Sequence, residues 1–127
     1  MTHITWNDAE AFTKKLNKLT GLPFSLPTEA QWEYAAAGGE SYPYAGSDNI
    51  RDVAYYASNA NERLHPVGEK RENGFDLYDM SGNAAEWCTD WMSRYENTRV
   101  TDPQGPAENP GHHKKIVRGG SYLANER

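Results

Sequence analysis

The residues best placed to do chemistry lie in one stretch, Asp79-Met80-Ser81-Gly82-Asn83-Ala84-Ala85-Glu86. Two carboxylates seven positions apart, with a Gly-Asn turn between them, can converge on one point together with carbonyl oxygens of the turn. A donor set made of oxygen alone suits a hard cation, and calcium above all. The same residues also read as a helix cap at Asp79 and a salt-bridging Glu86, and spacing leaves both readings open. His112-His113 beside Lys114-Lys115 could suggest a metal or anion site. It reads as solvated loop, because metal-binding histidines need a convergent second element. His65, before Pro66, reads as structural, with its ring hydrogen-bonded near a strand. Cys88 is the one cysteine in the chain. It can make neither an internal disulfide nor a zinc cluster, and reads as a small buried hydrophobe. There is no G-x-S-x-G elbow, P-loop, HExxH or Cys-x-x-Cys motif.

The elements that must position these residues are short. Thr5 or Asn7 can cap a helix whose apolar positions Ala9, Phe12, Leu16 and Leu19 recur at three and four, and Gly21 with Pro23 stops it. Thr28 with Gln31 matches the capping-box pattern, so a second helix is expected from about Glu29 to Ala37, burying Trp32 and Ala35 or Ala36. Gly38-Gly39 ends it. Residues 40–49 read as a structured loop, and Asn73-Gly74 as a turn. Val53 to Ala57 reads equally as a short strand or a helical turn. Trp87, Trp91 and Met92 surround an extended segment, residues 96–114 form a polar loop, and Lys115 to Tyr122 is expected to be a strand closed by a glycine pair.

Composition limits what such a chain can be. Its 127 residues suffice for one domain or part of one. The formal net charge of −5 leaves no basic excess to displace counterions from nucleic acid. Leu, Ile, Val and Phe are scarce, whereas 4 Trp and 8 Tyr supply apolar area, which points to a loop-rich domain held by aromatics. No leader-like segment or bilayer-length apolar run is visible, so no membrane association is expected.

Five segments then occur in a telling order: Ile4–Phe12, Ser25–Ala36, His65–Gly68, Asn73–Cys88 and Val117–Tyr122. Together they resemble the formylglycine-generating-enzyme, or sulfatase-modifying-factor, domain family, across nearly the whole chain. The resemblance implies an α+β, C-type-lectin-like fold with two helices and short strands. Residues 1–127 would form a single partial domain, lacking the terminal strands and the closing Gly-Phe-Arg segment. It also implies a calcium site at Asp79 and Glu86 by side chain and at Gly82 and Ala84 by carbonyl. A second calcium site of sulfatase-modifying members is expected to be missing, since only Asn59 to His65 stands in its loop.

Three kinds of member set the functional expectation. Some oxidise a sulfatase cysteine to formylglycine with copper held by a cysteine pair. Others form carbon–sulfur bonds with iron held by an additional domain. Still others are non-catalytic, including the ligand-binding variable proteins of diversity-generating retroelements. Where the oxidases carry the first copper cysteine, two positions after the aromatic of Gly-Gly-Ser-Tyr, this chain has Ala124. Ala85 replaces the Trp of the Gly-Asn-x-Trp-Glu-Trp pattern. The expectation is therefore a non-catalytic, calcium-binding domain without copper, taking a protein or peptide ligand. The alternative is a piece of a formylglycine-generating oxidase whose cysteine pair lies elsewhere, and a weaker one is an accessory module for a partner protein. With terminal strands missing, the edge around Lys115–Tyr122 is expected to pair with a second copy.

Overall fold

The structure, a computed structural model, describes residues 3–95, 100–106, 111 and 114–126. Elements run in the order α1 (Trp6–Thr20), α2 (Glu29–Ala37), α3 (Ile50–Val53), β1 (Ala54–Tyr55), β2 (Ser81–Gly82), β3 (Glu86–Trp91) and β4 (Lys115–Arg118). This is a loop-rich α+β architecture. Strands β1 and β2 pair in parallel, Ala54 opposite Ser81 and Tyr55 opposite Gly82, while β3 and β4 form a separate two-stranded sheet. Among the described residues, no helix is long and apolar enough to cross a membrane. The contacts divide the chain into two compact units, residues 1–30 with 87–116 and residues 31–86 with 117–127.

In the first unit, α1 starts where its caps dictate. The Thr5 hydroxyl accepts from the Asp8 amide, and the Asp8 carboxylate accepts in return from the Thr5 amide at 2.9 Å. The Thr5 hydroxyl also donates to that carboxylate at 2.6 Å, and this bond first, then the one from the Thr5 amide, holds the Asp8 carboxyl below the usual carboxylate range. Gly21, at φ +72°, ends the helix in the left-handed conformation. The expected apolar stripe is only partly used. Ala9 is buried, but Phe12 is 61% exposed and Leu19 is 74% exposed. The first turn is fixed by the Trp6 indole, whose Nε1 donates to the Cys88 carbonyl at 2.9 Å. The end of the helix is instead wrapped by its own chain, since Asn17 exchanges two hydrogen bonds with the backbone of Phe24.

Asp90, buried in β3, accepts from the Glu29 amide at 2.7 Å, so a residue 61 positions away serves the start of α2. Cys88 is fully buried, as its apolar reading requires. Of the polar loop expected over residues 96–114, the described parts carry no helix or strand. The His112-His113 pair lies outside the described residues.

The second unit holds the core cluster of Ile50, Val53, Ala54 and Tyr56, with Tyr44 packed against it. The ambiguous stretch at Val53 resolves both ways, with α3 ending at Val53 and β1 beginning at Ala54. Beyond β4 the expected strand stops four residues short of Tyr122. Gly119 and Gly120, at φ +85° and +73°, leave extended geometry. Even so, the Gly119 carbonyl accepts from the Gly82 amide at 2.7 Å, and the Tyr122 amide donates to the Asn83 carbonyl at 2.9 Å.

Candidate functional site

Residues 79–86 lie wholly in the second unit and are shaped by left-handed backbone. Asp79, Gly82 and Asn83 all have φ between +57° and +78°. Asp and Asn tolerate this region through local hydrogen bonds, and glycine has no Cβ to obstruct it. Gly82 has a second reason. A Cβ there would run into the Tyr55 carbonyl oxygen, with Ala54 Cβ 3.1 Å away. The close β1–β2 register therefore requires glycine.

Asn83 is the organising side chain. It is 3% exposed, and its Oδ1 accepts from the His65 amide at 3.1 Å while its Nδ2 donates to the His65 carbonyl at 3.2 Å. The Asn83 amide donates to Tyr55, so one residue ties β1, the 65–68 segment and the candidate loop together. His65 itself is structural, as expected. Its Nε2 lies 2.9 Å from the Ala60 carbonyl and therefore donates, and its ring stacks on Tyr55 at 3.7 Å. Tyr55 donates its hydroxyl to Glu69, and that bond holds the phenol above its usual range.

Each of the four sequence-derived metal ligands has neighbours of its own. Asp79 Oδ2 accepts from the Gly68 amide at 2.8 Å, and Oδ1 faces Asn83 Nδ2 at 3.4 Å, so this carboxylate turns toward the 65–68 segment. Glu86 Oε2 accepts from the Trp32 indole at 2.6 Å. A Cβ on Gly119 would lie 3.4 Å from the Trp32 ring, 3.7 Å from the Met80 carbonyl and 3.9 Å from the Ala84 carbonyl. Ala84 and Glu86 are thus gathered around Trp32 and Gly119, while Gly82 is held between Tyr55 and Gly119. Among the described residues, no three His, Cys, Asp or Glu side chains form a metal cluster. Any cation here would be held by two carboxylates with backbone carbonyls, an oxygen set whose two negative charges fit a hard divalent ion.

Sequence reasoning passed over three participants: Trp32, the Met80 carbonyl and the Asn83 side chain. Trp32 carried a signal only as a buried helix position. Its partner is 54 residues away, and no spacing rule reaches so far.

Beside this loop, still within the second unit, is a cleft of about 570 Å³. Tyr44, Tyr56, Ser81, Gly120, Ser121 and Ala124 are among the residues lining it. Tyr44 donates to Glu126 at 3.2 Å, and burial, followed by that carboxylate, raises its phenol above the usual range. Ala124 is fixed by backbone bonds, its amide donating to Ser121 and its carbonyl accepting from Ala57.

The profile of the sulfatase-modifying factor enzyme 1-like domain matches residues 1–127. The chain is 36% identical over 143 residues to a formylglycine-generating enzyme of Streptomyces coelicolor, covering 99% of this chain and 43% of that protein. It is 34% identical to the chaperone protein LppX of Paenibacillus barcinonensis, covering 80% of this chain and 39% of that one. Among solved structures, Treponema denticola variable protein 1 superposes with a TM-score of 0.72 at 38% identity, over 80% of this chain and 37% of that one. The chain spans less than half the length of each of these relatives.

Proposed function

This chain belongs to the sulfatase-modifying factor enzyme 1-like family, and from that premise we propose that its 127 residues form a calcium-stabilised, ligand-binding part of such a domain rather than a copper centre. The observation that carries the reading is Ala124. It stands at the position that the resemblance gives to the first copper cysteine, and it lines the cleft as a methyl group. Copper(I) is held by soft sulfur ligands, and the single thiol of these residues, Cys88, is fully buried in β3. What remains at the cleft is a recognition surface of two tyrosines, serines and backbone glycines, of the kind that orients a small ligand or a peptide segment. The likeness to Treponema denticola variable protein 1 favours the same reading.

Calcium has a separate, structural role in this proposal. Asp79 and Glu86 balance its charge, and the Gly82 and Ala84 carbonyls complete the oxygen set. With two anionic ligands, affinity falls at the weak end of the range, on the order of 10⁻⁴ M. A bound ion stabilises only the folded state, so millimolar calcium is expected to raise the melting temperature. Glu86→Gln keeps an oxygen for the Trp32 indole while removing the charge. That variant is expected to fold and to lose the calcium-dependent shift; an unchanged shift refutes the ligand assignment.

A second reading is favoured by the relationship to formylglycine-generating enzymes: the chain is a portion of an oxidase whose thiolates lie outside these residues. Incubation of this chain with a sulfatase-motif peptide and copper tests whether these residues by themselves carry redox chemistry. No conversion of cysteine to formylglycine is expected by mass spectrometry. Turnover would overturn the non-redox reading.

A further inference from the structure

The first unit contains a cation held between two indoles. Lys115, the first residue of β4, places its Nζ 4.2 Å from the ring centroid of Trp6 and 3.9 Å from that of Trp91. The same nitrogen donates to the Thr89 carbonyl at 2.6 Å. Each wall is independently fixed. Trp6 is anchored through Nε1 to the Cys88 carbonyl, and Thr89 through its amide to the Pro27 carbonyl. Trp91 closes β3, where the Met92 amide donates to the Lys114 carbonyl at 2.8 Å. Burial pushes the Lys115 amine below the usual lysine range, and the carboxylates of Asp90 and Glu10 offset part of that by favouring its charged form.

Two indole faces with one carbonyl acceptor are the recognition chemistry of an alkylammonium ion. A lysine needing only a surface position would stay in water, because its ammonium is strongly hydrated. We propose that Trp6, Trp91 and the Thr89 carbonyl form an alkylammonium-binding site whose resident ligand is Lys115 of the same chain. The site is built from α1, β3 and β4, so its walls outlast removal of the ligand. It admits an external primary ammonium when the lysine head is withdrawn or neutralised. Acetylation of Lys115 would withdraw it, by removing both the charge and the cation–π donor.

Truncation with chemical rescue tests this. Lys115→Ala removes what n-propylammonium can replace, so n-propylammonium chloride is titrated against the variant and the wild type, with sodium chloride at equal ionic strength as control. The variant is expected to show a saturable thermal stabilisation and a tryptophan fluorescence change, at concentrations at least about tenfold below any wild-type response, as a cation–π contact of about 1.4 kcal/mol implies. Adding Trp91→Leu to Lys115→Ala is expected to abolish the response. Equal responses in the variant and the wild type, or in the single and double variants, overturn the proposal. If Lys115→Ala fails to fold, the wild-type protein still decides. Its Lys115 ε-methylene protons are expected far upfield by NMR, under the ring currents of two indoles, and ordinary shifts refute the site.

Discussion

Replacing Asn83 by alanine removes both side-chain bonds to His65 and leaves that residue's amide and carbonyl without their partner. Each such bond contributes about 1 kcal/mol net. Asn83 also sits at φ +58°, where alanine costs about 1 kcal/mol more than a residue adapted to the left-handed region. The expected loss is therefore about 3 kcal/mol, a large part of a typical 5–15 kcal/mol stability. Glycine at the same position loses the bonds but not the backbone fit, so Asn83→Gly is expected to lose about 2 kcal/mol. Urea unfolding reads both. With a slope on the order of 2 kcal/mol per molar, the midpoint falls by about 1.5 M for alanine and about 1 M for glycine. Hydrogen exchange at the His65 amide supplies a local check, because its acceptor is gone in both variants. An alanine variant within about 0.5 kcal/mol of wild type, with His65 still protected, would refute the clamp. The 65–68 segment would then be held by other contacts, and Asp79 would owe its place to Gly68 alone.

Two further perturbations follow from the same geometry. Gly82→Ala drives a Cβ into the Tyr55 carbonyl at φ +78° and is expected to cost at least about 3 kcal/mol, seen as a lower urea midpoint. A wild-type midpoint would mean that the β1–β2 register shifts without cost. Acid acts on α1 through Asp8, whose folded pKa is depressed by its bonds to Thr5. Its contribution is present above the unfolded value, about 3.9, and fades as pH falls through the lower folded value. Helical circular dichroism should decline over that acidic window in wild type more than in Asp8→Asn, and matching profiles would contradict the capping role.

What the sequence determined by itself is local. Thr5 at the start of α1, Gly21 at its end and Gly38-Gly39 after α2 act within one turn of their own position, so their meaning can be read without knowing the fold. Cys88 is legible for a related reason, since a lone apolar thiol has no partner chemistry to pursue. The ordered motifs likewise carried the family, because five segments in sequence leave little freedom for another fold. Tertiary structure decided everything that depends on meeting at a distance. Trp32 takes hold of Glu86 across 54 residues, and Asp90 serves the amide of Glu29 across 61. Phe12 and Leu19 obey helical periodicity yet stand exposed, because periodicity states which face is apolar and not whether anything covers it. The expected strand to Tyr122 broke at Gly119 for the converse reason. A glycine pair permits both extended and left-handed backbone, and only the partners waiting at Gly82 and Asn83 selected between them.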